Sequence, residues 1–92
     1  MSILGELEQV ILDRQAHPRS GSYTCRLLEK GREEIAKKVG EEAIEVILAA
    51  AAQSDERVAQ ESADLLYHLL VLLAERGVPW LAVEAELSLR RK

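Results

Sequence analysis

The stretch Glu61-Ser62-Ala63-Asp64-Leu65-Leu66-Tyr67-His68-Leu69-Leu70-Val71-Leu72-Leu73-Ala74 decides the fold. At about 100° per residue its apolar side chains, with Val58 before them, cover nearly the whole circumference of a helix. That helix is expected from about Glu56 to Arg76. Ahead of it, Gln53-Ser54-Asp55-Glu56 reads as a turn with Ser54 or Asp55 as N-cap. A second long helix, with Gly40 inside it, precedes that turn over roughly Glu33 to Ala52. Further upstream a short helix begins near Ser22 and runs through Leu27 and Leu28 towards Gly31. Ile3, Leu4, Leu7, Val10 and Ile11 follow the i, i+3, i+4, i+7, i+8 spacing of an amphipathic first helix. Downstream, Gly77-Val78-Pro79 breaks the chain, with Pro79 expected as the first residue of a last helix. That helix ends in Arg90-Arg91-Lys92, cations suited to a helix C-terminus. No segment alternates at period two for long. The expectation is one all-α domain over residues 1–92, a bundle of four to five helices.

Composition agrees. Hydrophobic residues are 48% and charged residues 30% of 92, which excludes wholesale disorder. Aromatics are 3% with no Phe, so Leu, Ile, Val and Ala must build the core. Twelve Lys+Arg against sixteen Asp+Glu give a net charge of −4, without the basic footprint of a nucleic-acid binder. The single cysteine, Cys25, rules out an internal disulfide framework and is read as a packing residue. No signal-peptide pattern opens the chain, and the apolar run Leu69–Ala74 is far below the ~18–20 residues of a membrane span. A cytoplasmic protein is expected. A helix apolar all round must be buried all round, and a chain this short has little with which to cover it. A homodimer is therefore expected, with that helix near the interface; a monomeric sedimentation mass at micromolar concentration would oppose it.

The acids are unevenly placed. Glu42 and Glu45 lie at i, i+3 on the second long helix, next to Glu41; Glu61 and Asp64 have the same spacing on the third. Each pair shares a helix face, and residues 46–60 between them allow a helix end, a turn and a return. Glu61, Asp64 and His68 share a wedge roughly 60° wide on an otherwise apolar helix. Glu42 sits at the edge of the stripe Ile35, Val39, Ala43, Val46, Ile47 and Ala50. Carboxylates in such surroundings persist only if paired, protonated or metal-bound. Four of them converging, without matching basic residues, point to a cation, and all-oxygen ligation suits Mg²⁺ or Mn²⁺. A di-iron bundle fits less well, since neither His17 nor His68 follows a Glu at the Glu-x-x-His spacing. Either acid pair alone would read as a solvated helix face.

Basic and polar neighbours admit two readings. Lys38 and Lys37, one turn before Glu42 and Glu41, either support the helix or neutralise phosphates. His68 is expected to hydrogen-bond beside the metal ligands rather than ligate. Ser22-Tyr23-Thr24 opens a helix as a cap, and its free amides could also receive phosphate.

Glu42-x-x-Glu45, residues 46–60, then Glu61-x-x-Asp64 resembles the metal-binding pattern of the all-α nucleoside triphosphate pyrophosphatases, the MazG-like superfamily. Ser22-Tyr23-Thr24, Leu27-Leu28, Gly31, Ile35, Lys38-Val39-Gly40-Glu41-Glu42-Ala43 and Ala63 to Leu73 are similar to one branch, the phosphoribosyl-ATP pyrophosphohydrolases of histidine biosynthesis. The resemblance covers nearly the whole chain, and the length looks like the stand-alone form without a phosphoribosyl-AMP cyclohydrolase domain. It implies a dimerising helical bundle that hydrolyses the α–β phosphoanhydride of phosphoribosyl-ATP to phosphoribosyl-AMP and pyrophosphate. It further implies that Glu42, Glu45, Glu61 and Asp64 hold Mg²⁺, with Mn²⁺ a possible substitute, and that a water on the cation attacks. Glu41 would orient that water or ligate a second ion, Lys38 would contact phosphate, and Tyr23 and Thr24 would lie on the substrate side. Two other readings stay open: a house-cleaning (d)NTP pyrophosphatase, separable by a substrate panel, and a non-catalytic helical dimerisation module, whose melting would ignore divalent ions.

Overall fold

The computed structural model describes residues 2–91 and contains five helices. They are α1 (Ile3–Ala16), α2 (Tyr23–Lys30), α3 (Arg32–Ala52), α4 (Asp55–Arg76) and α5 (Trp80–Leu89). Among the described residues there is no strand, so the all-α expectation holds.

Serine hydroxyls start three of the helices. Ser2, Ser22 and Ser54 accept hydrogen bonds from the backbone N–H of Gly5, Cys25 and Arg57, each at 3.2 Å. Such a cap satisfies one of the amides a helix start leaves unpaired, and is worth about 1 kcal/mol. Gly31 both ends α2 and precedes α3, at φ 92° and ψ 173°, a conformation nearly closed to residues with a Cβ. Gly77, at φ 79°, ends α4, and the Val78 N–H reaches back to the Leu73 carbonyl at 2.9 Å. That left-handed C-terminal turn redirects the chain by 111° into α5. Pro79 is the N-cap of α5 rather than its first helical residue. A proline has no hydroxyl with which to cap, and Glu8 of α1 takes over: its Oε2 accepts from the Trp80 N–H at 2.7 Å.

The α3–α4 hairpin, joined by Gln53 and Ser54, is the main packing unit; α1 and α2 cover one side of it, and α5 leans on α1. Ile11, Leu27, Ile35, Leu70, Val71, Ala74 and Trp80 form the core. Full burial of an Ile, Leu or Val contributes about 1.5–3 kcal/mol, and the completely buried Ile11, Ile35, Leu70 and Val71 tie α1, α3 and α4 together.

One chain leaves part of α4 uncovered, as the sequence reading anticipates for so short a chain, and burial departs from the expectation on α3. Within one chain α4 is not buried all round: Leu66 is exposed, and Leu65, Leu69, Leu72 and Leu73 are only partly covered. The most exposed apolar side chains of the hairpin lie instead on α3, where Ile44, Ile47 and Leu48 are 56%, 65% and 51% exposed. On α3 the covered line is Ile35, Lys38, Val39, Glu42, Ala43, Val46 and Ala49. Glu42 therefore lies within the buried line rather than at its edge, and Ile47 and Ala50 lie outside it.

Candidate metal centre

Putting Glu42 on the inward line of α3 aims its carboxylate at α4, where Glu61 and Asp64 occupy successive turns. The hairpin supplies the rest. One carboxylate oxygen from each of Glu42, Glu61 and Asp64 comes within 4.8 Å of the others. The Glu42 and Glu61 side chains are only 13% and 9% exposed, while Asp64 opens to solvent. Three oxygen donors of like charge, one buried and one largely covered, are a poor arrangement by themselves. Oxygen-only donors in reach of one point do suit a hard divalent cation.

The cluster has basic partners, contrary to the sequence reading. Lys38 Nζ lies 3.5 Å from Glu42 Oε1 and 3.8 Å from Glu41 Oε1. Burial works against the Lys38 charge, but the Tyr23 phenol oxygen and the Glu42 carboxylate outweigh it and hold the ammonium above its ordinary pKa. Arg57, four residues before Glu61, pairs with Glu61 Oε1. Its i, i+4 spacing to Glu61 is a local signal present in the sequence. Asp64 has no ion pair among the described residues.

Beside the acids, α2 meets α4 through aromatic and hydroxyl groups. His68 is buried, and its Nδ1 lies 2.7 Å from the Asp64 carbonyl oxygen. A carbonyl only accepts, so Nδ1 carries the proton, and in the neutral ring Nε2 accepts from the Tyr23 hydroxyl at 2.9 Å. His68 thus bonds to the backbone of Asp64, not to its carboxylate. Buried Thr24 bonds the Tyr67 hydroxyl, and the Tyr23 and Tyr67 rings stack with centroids 6.1 Å apart. Burial pushes the Tyr67 phenol above its usual pKa, although the Thr24 bond pulls it down. Arg26 covers the Tyr23 ring at 5.6 Å. Ser22 is engaged as the α2 cap.

The fold therefore brings together Glu42, Glu61 and Asp64, with Lys38 and Arg57 against them and Tyr23 and His68 alongside. Glu41 and Glu45 lie outside this cluster, on the exposed part of α3. Cys25 is buried; its sulfur lies 3.6 Å from the Arg14 carbonyl and accepts from the Arg19 N–H at 3.5 Å, in line with a packing role. No single helix among the described residues is long and apolar enough to cross a membrane.

Residues 4–91 match the family model described as phosphoribosyl-ATP pyrophosphohydrolase. The chain is 50% identical to a phosphoribosyl-ATP pyrophosphatase of Lactiplantibacillus plantarum, over 98% of this chain and 85% of the relative. It is also 50% identical to one of Sulfurisphaera tokodaii, over 99% and 97%. A histidine biosynthesis bifunctional protein of Thermoanaerobacter pseudethanolicus is 54% identical over 83% of this chain, a match that spans 35% of that larger protein.

Proposed function

This chain belongs to the phosphoribosyl-ATP pyrophosphohydrolase family, and from that membership and the acid cluster together we propose how it acts. It hydrolyses the α–β phosphoanhydride of phosphoribosyl-ATP to phosphoribosyl-AMP and pyrophosphate, in histidine biosynthesis, in the cytoplasm. The observation that carries the reading is the meeting of Glu42, Glu61 and Asp64 within 4.8 Å across the α3–α4 hairpin.

Those three carboxylates hold a divalent cation, Mg²⁺ first and Mn²⁺ as a substitute. When bound, the cation neutralises phosphate charge and acidifies water at the site. The chain's own groups do the rest. Lys38, fixed beside Glu42, sets an ammonium where a phosphate oxygen can take it. Tyr23 is oriented by His68 at the mouth of the site, and Thr24 is locked to Tyr67, which fixes the start of α2 on the substrate side. Glu45 and Glu41, on the exposed rim, orient water or take a second ion. The net charge of −4 suits a site whose positive potential arrives with the cation.

The functional unit is a homodimer. Its support is the exposed stripe Ile44, Ile47 and Leu48 at i, i+3, i+4 on α3, together with exposed Leu66 on α4.

Pyrophosphate release from phosphoribosyl-ATP, with Mg²⁺ and with chelator, beside ATP and the common (d)NTPs, tests this reading. Mg²⁺-dependent release from phosphoribosyl-ATP alone is expected. Release mainly from a dNTP would overturn the substrate and leave the metal centre. No release from any nucleotide would leave only a helical dimer.

A further inference from the structure

Arg57 has no place in the chemistry above, yet it is more tightly held than any other exposed cation near the site. Its Nη2 pairs with Glu61, its Nη1 donates to Gln60 Oε1 at 2.6 Å, and its Nε donates to Gln53 Oε1 at 3.5 Å. Its side chain is half exposed, while that of Glu61 is buried. A cation in that position has two effects. It offsets the cost of keeping Glu61 ionised away from water and next to two other carboxylates. It also occupies an oxygen of Glu61 and repels a second cation brought to the same cluster. The first effect stabilises the ion-free protein and the second destabilises the ion-bound one, so both weaken ion binding.

We propose that Arg57 is the resident counter-ion of the acid cluster, a positioning residue that holds Glu61 in place without the divalent ion and lowers the cluster's affinity for it. The proposal rests on the metal-centre reading above. Its distinguishing mark is coupling. An ion pair that only supported α4 would cost the same stability with and without the ion, whereas a competing counter-ion must appear equally in ion affinity and in ion-dependent stability.

Mn²⁺ binding to the full chain, followed by the spin-resonance signal of the free ion, measures the first quantity; melting in chelator and in saturating Mn²⁺ measures the second. Arg57→Gln is expected to melt below wild type in chelator, to regain most of that loss with Mn²⁺, and to bind Mn²⁺ about five-fold tighter or more. Arg57→Lys, which keeps the charge, stays near the wild-type affinity. Equal or weaker Mn²⁺ binding by Arg57→Gln, or the same melting loss in both conditions, would overturn the proposal. Should Arg57→Gln be unfolded in chelator, its folding on addition of Mn²⁺ supports the coupling, and failure to fold at saturating Mn²⁺ refutes it. A wild-type protein indifferent to Mn²⁺ is a separate result, and it removes the metal centre itself.

Discussion

Asp64→Asn separates the cost of the acid cluster from its use. Asp64 faces Glu42 and Glu61 with donor oxygens within 4.8 Å and has no basic partner of its own among the described residues. At that distance two unit charges repel by about 0.9 kcal/mol in water and about 3.5 kcal/mol at an effective dielectric constant of 20. Asp64 is exposed, so solvent screening keeps each repulsion near the lower figure. Relieving both by Asp64→Asn should stabilise the ion-free protein by about 1–2 kcal/mol, a rise of several degrees in Tm at about 4–8 °C per kcal/mol. Divalent ion reverses the order. Wild type gains about 2.7 kcal/mol at a hundred times its Kd, while the variant, one charged ligand short, gains little. The assay is thermal melting of the helical CD signal in chelator and in saturating Mg²⁺, with pyrophosphate release measured on the same samples. The variant should melt above wild type in chelator and below it in Mg²⁺, and turnover should fall about 10²-fold or more. A variant less stable than wild type in chelator, or one with an undiminished Mg²⁺ shift, would refute the reasoning.

Other sites give independent checks. Glu8→Ala removes the carboxylate that caps α5 through the Trp80 N–H, and should cost about 1 kcal/mol and about 4–8 °C in Tm. Trp80 is the only tryptophan, so its emission should shift to the red as α5 loosens; unchanged emission and Tm would contradict the cap. Tyr67 has its pKa raised in the fold, chiefly by burial. Its neutral phenol therefore stabilises the fold fully below the unfolded value near 10, and this contribution is lost as pH rises through the higher folded value. The phenolate absorbance should show a late phase in alkali that Tyr67→Phe abolishes; an unaltered titration curve would count against it. Ile47→Glu places a charge in the exposed α3 stripe and should convert a dimer to a monomer in sedimentation while the helical CD signal persists. A wild-type protein already monomeric, or a variant still dimeric, would remove that interface.

Much of this was legible in the sequence, because the signals are local. Ser22 and Ser54 sit where a helix start needs a hydroxyl, and the serines, glycines and prolines mark nearly every helix boundary. The meeting of Glu42 with Glu61 and Asp64 was legible for the same reason, since helical spacing and a return of suitable length require no tertiary knowledge. Glu45, at the same i, i+3 spacing, lies outside the cluster. What escaped depends on contacts between elements. Hydrophobicity alone placed Glu42 at the edge of a stripe that included Ile47. In the structure Glu42 is largely covered, facing Glu61 and Asp64 of α4 and paired with Lys38 of its own helix, while Ile47 lies outside. The Glu8 cap of α5 spans 72 positions of sequence, and the Tyr23–His68 bond spans 45. Arg57 is the instructive exception, since its i, i+4 relation to Glu61 is local. The expectation of unmatched acids hid it.

The central claim is that Glu42, Glu61 and Asp64 form one divalent-ion site across the α3–α4 hairpin. Anomalous diffraction from crystals of the wild-type protein grown with Mn²⁺ tests it most directly. The account predicts an anomalous peak within ligating distance of all three carboxylates. A peak elsewhere, or none at saturating Mn²⁺, would contradict it.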